Sequence, residues 1–117
     1  MAETKVTKNE MDYTKTTDAA GYTVYDYGGY KQYRKKGTQV NSLTASQWKF
    51  GAALATLPTG MSSFTNHYIE GSVVASDAAV CVFLGCNDSG PYTNMSNQYG
   101  GAINNFNVFW SVCITEA

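Results

Sequence analysis

Side-chain catalysis needs a nucleophile beside a base, two carboxylates facing one cleft, or a metal. The chain has one imidazole, His67, set in the stretch 64–69 with no G-x-S-x-G elbow around it. Glu70, Asp77 and Asp88 are the candidates for a glycosidase pair, which needs carboxyl groups roughly 5–10 Å apart. Each stands at a turn, beside Gly71, Ala78 or Ser89, where a carboxylate more often shapes the backbone. Cys81 and Cys86 are too few for a zinc site, and His67 has no Cys or His at ligand spacing. Three cysteines cannot all pair, and Cys81 and Cys113 sit in apolar strand patterns, so free buried thiols are expected. These residues predict no catalytic group, no metal and no cofactor.

Recognition chemistry is better represented. Residues 85–101, GCNDSGPYTNMSNQYGG, contain almost nothing aliphatic and are dense in turn formers, so they read as the longest loop. Within them Asn87, Asp88, Tyr92, Asn94, Asn97, Gln98 and Tyr99 combine rigid amphipathic rings with adaptable hydrogen-bonding groups. Such a surface suits a sugar, which offers hydroxyls to amides and a C–H face to rings. An ordinary polar loop is the competing reading. Asn66, His67 and Tyr68 form a second candidate group.

The elements that position these residues read as strands. Tyr22 and Val24, then 30–36, alternate around a Gly28-Gly29 turn, and Gly37 reads as a break before 38–43. Residues 52–57 read as a further apolar strand, with a short helix as the less favoured alternative, stopped by Pro58-Thr59-Gly60. Strands at 64–69 and 72–76 follow. Residues 78–84 are almost wholly apolar, as in a strand covered on both faces. At the end, Val108, Trp110, Val112 and Ile114 share one face and Asn107, Phe109, Ser111 and Cys113 the other, which predicts a central or interfacial strand. Trp48 and Trp110 are placed in the core or at a subunit interface by their strand contexts. Residues 1–20 lack apolar periodicity and read as an irregular leader or one turn of helix, with a capping box from Thr7 to Glu10. The prediction is one antiparallel β-sandwich, jelly-roll-like, over 21–117.

Charge narrows the partners. Lys and Arg number 8, Asp and Glu 9, and charged residues make up only 15% of the chain. Every cation lies before residue 51, whereas 51–117 carries only Glu70, Asp77, Asp88 and Glu116. Lys31, Arg34, Lys35 and Lys36 would have to bear any nucleic acid alone, and on a strand they read as a solvated face, so no nucleic-acid partner is expected. No stretch approaches the ~20 apolar residues that span a bilayer, and no charged n-region leads an apolar one, so a soluble chain made in the cytosol is expected.

Three segments carry a resemblance: YKQYRKKGTQV at 30–40, ATLPTGM at 55–61, and the closing strand at 103–114. Their order resembles the C-terminal head domains of phage and prophage tail fibres, in which a YRK-G--V strand leads to a -TLP-G corner and a last strand. The resemblance covers residues 21–117. It implies a homotrimeric knob at a virion tail or fibre tip, made in a bacterial host, that binds a cell-surface receptor and often its saccharides. No binding residue is carried over from that family. The association surface is expected at Phe109, Trp110 and Val112, because the last strand is apolar or aromatic on both faces and little charge follows residue 50 to oppose contact. A purely structural virion component is the alternative, and a small glycan-degrading enzyme stands third.

Overall fold

The structure, a computed structural model, describes residues 4–8 and 11–116, which form nine strands and no helix. They are β1 (Thr4–Lys8), β2 (Met11–Thr17), β3 (Thr23–Asp26), β4 (Lys31–Leu43), β5 (Trp48–Ala53), β6 (His67–Ala75), β7 (Val80–Asn87), β8 (Gly90–Asn97) and β9 (Ile103–Glu116). All pairings are antiparallel. A six-stranded sheet runs β1-β2-β3-β4-β9-β6 and a three-stranded sheet runs β5-β8-β7, giving an antiparallel β-sandwich.

The last strand organises the core. It lies between β4 and β6, and Phe106, Val108, Trp110, Val112 and Ile114 point from it into the sandwich, all buried. Beside them in the same sheet lie Leu43 and Tyr33 of β4, and across from them come Met95 of β8 and Val80 of β7. The period-2 pattern of 107–114 therefore does place the strand centrally. It also corrects the expected interface: Trp110 and Val112 are 7% and 2% exposed, so of the three residues named only Phe109, at 49%, remains on the surface.

Gly37 does not break the strand. β4 runs through it, and a Cβ there would lie 2.7 Å from Cζ2 of Trp110, its partner on β9. The glycine leaves room for an indole to lie flat across the sheet.

Residues 4–8 and 11–17 are strands, not a leader or a helical turn. Their polarity hid them: β2 has its principal contacts with β1 and β3, beyond the three-stranded sheet, so its inward Thr14 and Thr16 have no large apolar layer to meet. Of the expected capping pair, Thr7 lies in β1 and Glu10 is outside the described residues.

Other boundaries shift for similar reasons. The strand expected at 52–57 is instead β5, ending at Ala53, and 54–66 is an extended cover whose Leu57 and Pro58 are buried. That cover is tied down where the Tyr22 hydroxyl donates to the Thr56 carbonyl at 2.6 Å and Asp18 accepts from the amides of Tyr22 and Thr59. The strands expected at 64–69 and 72–76 are one strand, β6, continuous through Gly71. β7 is covered on one face only, leaving Cys81 exposed and Phe83 53% exposed.

Candidate functional site

The expected loop at 85–101 is a hairpin: β7 ends at Asn87, Asp88 and Ser89 make the turn, and β8 runs to Asn97 as the central strand of the smaller sheet. Asn, Ser and Thr are poor advertisements for a strand, but pairing on both sides overrides propensity. The hairpin scatters the expected recognition residues. Asn87 and Asp88 sit at one end of β8, Tyr99 beyond the other, and eight residues of strand hold the ends roughly 25 Å apart.

Asn97 is structural. Its side chain is 2% exposed, its Nδ2 donates to the carbonyls of Thr44 and Gly101 at 2.9 Å each, and its Oδ1 accepts from the Tyr99 amide at 2.8 Å. Asp88 accepts from the Phe64 amide at 2.9 Å and Asn87 from the Ser89 amide at 2.8 Å, which shapes the turn. Tyr99 lines a separate cleft of about 470 Å³ with Asp77 and Asn104.

Tyr92, Asn94 and Gln98 share the outward face of the smaller sheet, spread along about 20 Å of it. Cross-strand register builds the face in three rows: Trp48, Ser96 and Cys81; Phe50, Asn94 and Phe83; Ala53, Tyr92 and Gly85. A β-bulge sets the middle row, since Phe50 and Gly51 together oppose Asn94, with Gly51 at φ 68°. After the bulge Ala52 points inward, while Trp48 and Phe50 both stay outside.

The two rings stack at 5.9 Å between centroids and 9° between planes, with Trp48 53% and Phe50 71% exposed. Phe83 stands on the far side of Asn94, about 10 Å from Phe50 at two strand spacings. Tyr92 lies over Gly85. Among these rings Asn94 Oδ1 accepts from the Gly51 amide at 2.8 Å, which fixes the amide's orientation and turns both Nδ2 donors outward. Gln98 folds back to donate to the Ser96 hydroxyl. A row of flat apolar surfaces alternating with oriented amide and hydroxyl groups results.

Trp48, Phe50 and Phe83 were not among the residues expected here, and Trp48 is neither in the core nor buried. The signal available was the alternation Trp48-Lys49-Phe50 and Cys81-Val82-Phe83. It shows that each pair shares a face without saying which face meets water.

The acid–base candidates do not converge. Asp77 and Asp88 flank the eight residues of β7, Asp77 accepting from the Ala79 amide at 2.9 Å, while Glu70 points from the outer face of the larger sheet. His67 Nδ1 is 2.8 Å from the Thr65 carbonyl oxygen, and Asn66 makes the turn before it at φ 64°. All three cysteines are free; Cys86, on the inner side of β7, has its thiol pushed up to about 11, chiefly by burial. Among the described residues no helix is long and apolar enough to cross a membrane. No protein-family model matches the chain, and no curated protein and no solved structure is significantly similar to it.

Proposed function

We propose that the chain is a non-catalytic binding module that holds a saccharide on the outward face of its three-stranded sheet. The observation that carries this reading is the stacked, more than half exposed pair Trp48 and Phe50 beside the fixed amide of Asn94. Parallel rings offer flat surfaces to the axial C–H groups of successive sugar units, and the outward Nδ2 donors meet ring hydroxyls. Large rings left in water beside oriented polar groups mark interaction surfaces. The resemblance to phage tail-fibre heads points the same way, toward a bacterial cell-surface glycan as receptor and a virion tail or fibre tip as location.

The test is a binding screen of the purified protein against neutral and bacterial cell-surface oligosaccharides, followed by Trp48→Ala and Phe50→Ala. Each substitution should weaken binding at least tenfold with the fold intact. Saccharide binding that survives the double substitution places the receptor site elsewhere.

An assembly role is favoured by one further observation. On the outer face of the larger sheet, Val40, Val74 and Phe109 are 62%, 57% and 49% exposed, Val74 is paired directly with Phe109, and both line a groove of about 510 Å³. We assign this patch to self-association, as a homotrimer by analogy with fibre heads. Light scattering should give about three times 12.7 kDa, and Phe109→Ser should reduce it to the monomer.

A further inference from the structure

The face that carries Phe109 ends, toward β2, in a different chemistry. Lys15 of β2, Tyr25 of β3, and Arg34 and Lys36 of β4 all point outward there, with Ser111 of β9 opposite Lys36. The Arg34 guanidinium lies 4.9 Å above the Tyr25 ring and donates to Gln32 Oε1 at 2.8 Å, and Lys15 Nζ stands 5.8 Å from the same ring. A cavity of about 370 Å³ opens here, lined by Thr23, Tyr25, Arg34, Lys35, Lys36 and Ser111. That volume lies within the roughly 300–1,000 Å³ of small-molecule sites.

We infer that this cavity binds an oxyanion, a carboxylate or phosphate group, carried on a ligand about the size of one sugar unit. Three cations crowd one surface; among the described residues the acid in the row of Arg34 is Glu70, two strands away across Cys113 and roughly 10 Å off. Stacking on Tyr25 and the bond to Gln32 hold the guanidinium plane in place with further N–H donors unspent, so little side-chain freedom is lost when an anion arrives. Because Arg34 already covers the Tyr25 ring, an incoming group meets the cation and not a bare aromatic face. The hydroxyls of Thr23 and Ser111 complete the lining with donors suited to an oxyanion. This site is on the opposite sheet from Trp48 and Phe50 and does not depend on the saccharide reading of that face.

The experiment is a ¹H–¹⁵N NMR titration of the full chain with glucose 6-phosphate, N-acetylneuraminic acid, inorganic phosphate and, as the neutral control, glucose. Shifts at Thr23, Arg34 and Ser111 with either acidic sugar, weakening as salt is added and absent with glucose, are the expected result. A response to inorganic phosphate as strong as to glucose 6-phosphate would assign the site to the anion alone and overturn the sugar-sized ligand. Arg34→Gln and Lys36→Gln should each cost about tenfold or more in affinity. Lys31→Gln, which removes the same charge from the inward side of β4, and Trp48→Ala should leave it unchanged. No shift at millimolar ligand, an equal loss in Lys31→Gln, or tighter binding of a single-stranded oligonucleotide than of either sugar would each overturn the inference.

Discussion

The ring of Tyr92 lies across Gly85 on the neighbouring strand, so close that a Cβ on the glycine would stand 2.5 Å from Cζ and 2.6 Å from the hydroxyl oxygen. Only the far end of a flexible side chain opposes the extra methyl. Gly85→Ala should therefore swing Tyr92 off the sheet, alter the surface that the proposed saccharide reading uses, and change stability by less than about 1 kcal/mol. Gly90→Ala is the contrast, since its φ is +124° and the new Cβ would meet backbone, 2.2 Å from the Ala55 carbonyl oxygen. Urea denaturation should show a loss of about 2–4 kcal/mol for Gly90→Ala and almost none for Gly85→Ala.

The two tryptophans should separate cleanly. Trp110 is packed over Gly37 in the core, and Trp48 stands on the surface against Phe50. Trp110→Ala should cost about 3–5 kcal/mol and Trp48→Ala under about 1 kcal/mol. In Trp48→Phe the remaining emission should be blue-shifted and shielded from acrylamide; ready quenching would contradict the buried placement.

Asn97, read from the sequence as a ligand contact, should behave as a structural hub. Asn97→Ala strands the Gly101 carbonyl and the Tyr99 amide and leaves the Thr44 carbonyl with the Gln47 amide as partner, and should destabilise by about 2–3 kcal/mol. Asn97→Asp keeps the acceptor for Tyr99 but loses both donors, so it should also destabilise. Retained stability in the alanine variant, measured by urea midpoint, would refute the hub.

What the sequence could reveal was local. The alternation through Val108, Trp110, Val112 and Ile114 displays a buried face directly, and its aromatic partner face pointed correctly to a central strand. It could not separate Phe109 from Trp110 as surface and core, because each face carries a large aromatic ring. β2 was illegible because Thr14 and Thr16 need no apolar layer where the second sheet ends, and β8 because its only large aliphatic contribution to the core is Met95. The aromatic face depends on β5 and β7 both pairing with β8 and on the bulge at Gly51, long-range facts that alternation within one strand does not carry.

Alkaline pH should destabilise the protein over two overlapping ranges of distinct origin. Burial pushes the Cys86 thiol up to about 11 from an ordinary 9.0, and burial, aided by the hydrogen bond to Glu116, pushes Tyr33 up to about 12 from 10.0. Both groups are neutral when protonated, and in each the folded value exceeds the unfolded one. Their contribution is therefore whole below about pH 9 and is lost as the pH rises, from 9 to 11 for Cys86 and from 10 to 12 for Tyr33. Cys86→Ala should remove the first decline in thermal midpoint, and Tyr33→Phe should lessen the second, which the buried Tyr22, its hydroxyl also pushed well above its ordinary value by burial, shares. A flat profile from pH 8 to 12 would refute the assignment.

Thr115 offers the reverse case, a polar group whose removal should help. It is 4% exposed on β9 between Gln32 of β4 and Tyr68 of β6, and its Oγ1 has no hydrogen-bond partner. A buried hydroxyl without a partner carries its desolvation cost with no return, about 1–3 kcal/mol by protein measurements. Valine has nearly the same shape and is as stiff at χ1, so Thr115→Val should fit the same space without strain. We expect stability to rise by about 0.5–1.5 kcal/mol, less than the full penalty because a polar neighbour can relax toward the hydroxyl in the native protein. Thr115→Ser separates the two contributions: it keeps the unpartnered oxygen, removes a buried methyl, and should destabilise by about 1 kcal/mol. Lower stability in Thr115→Val than in the native chain would mean that the hydroxyl is hydrogen-bonded in solution, and would sink this reading.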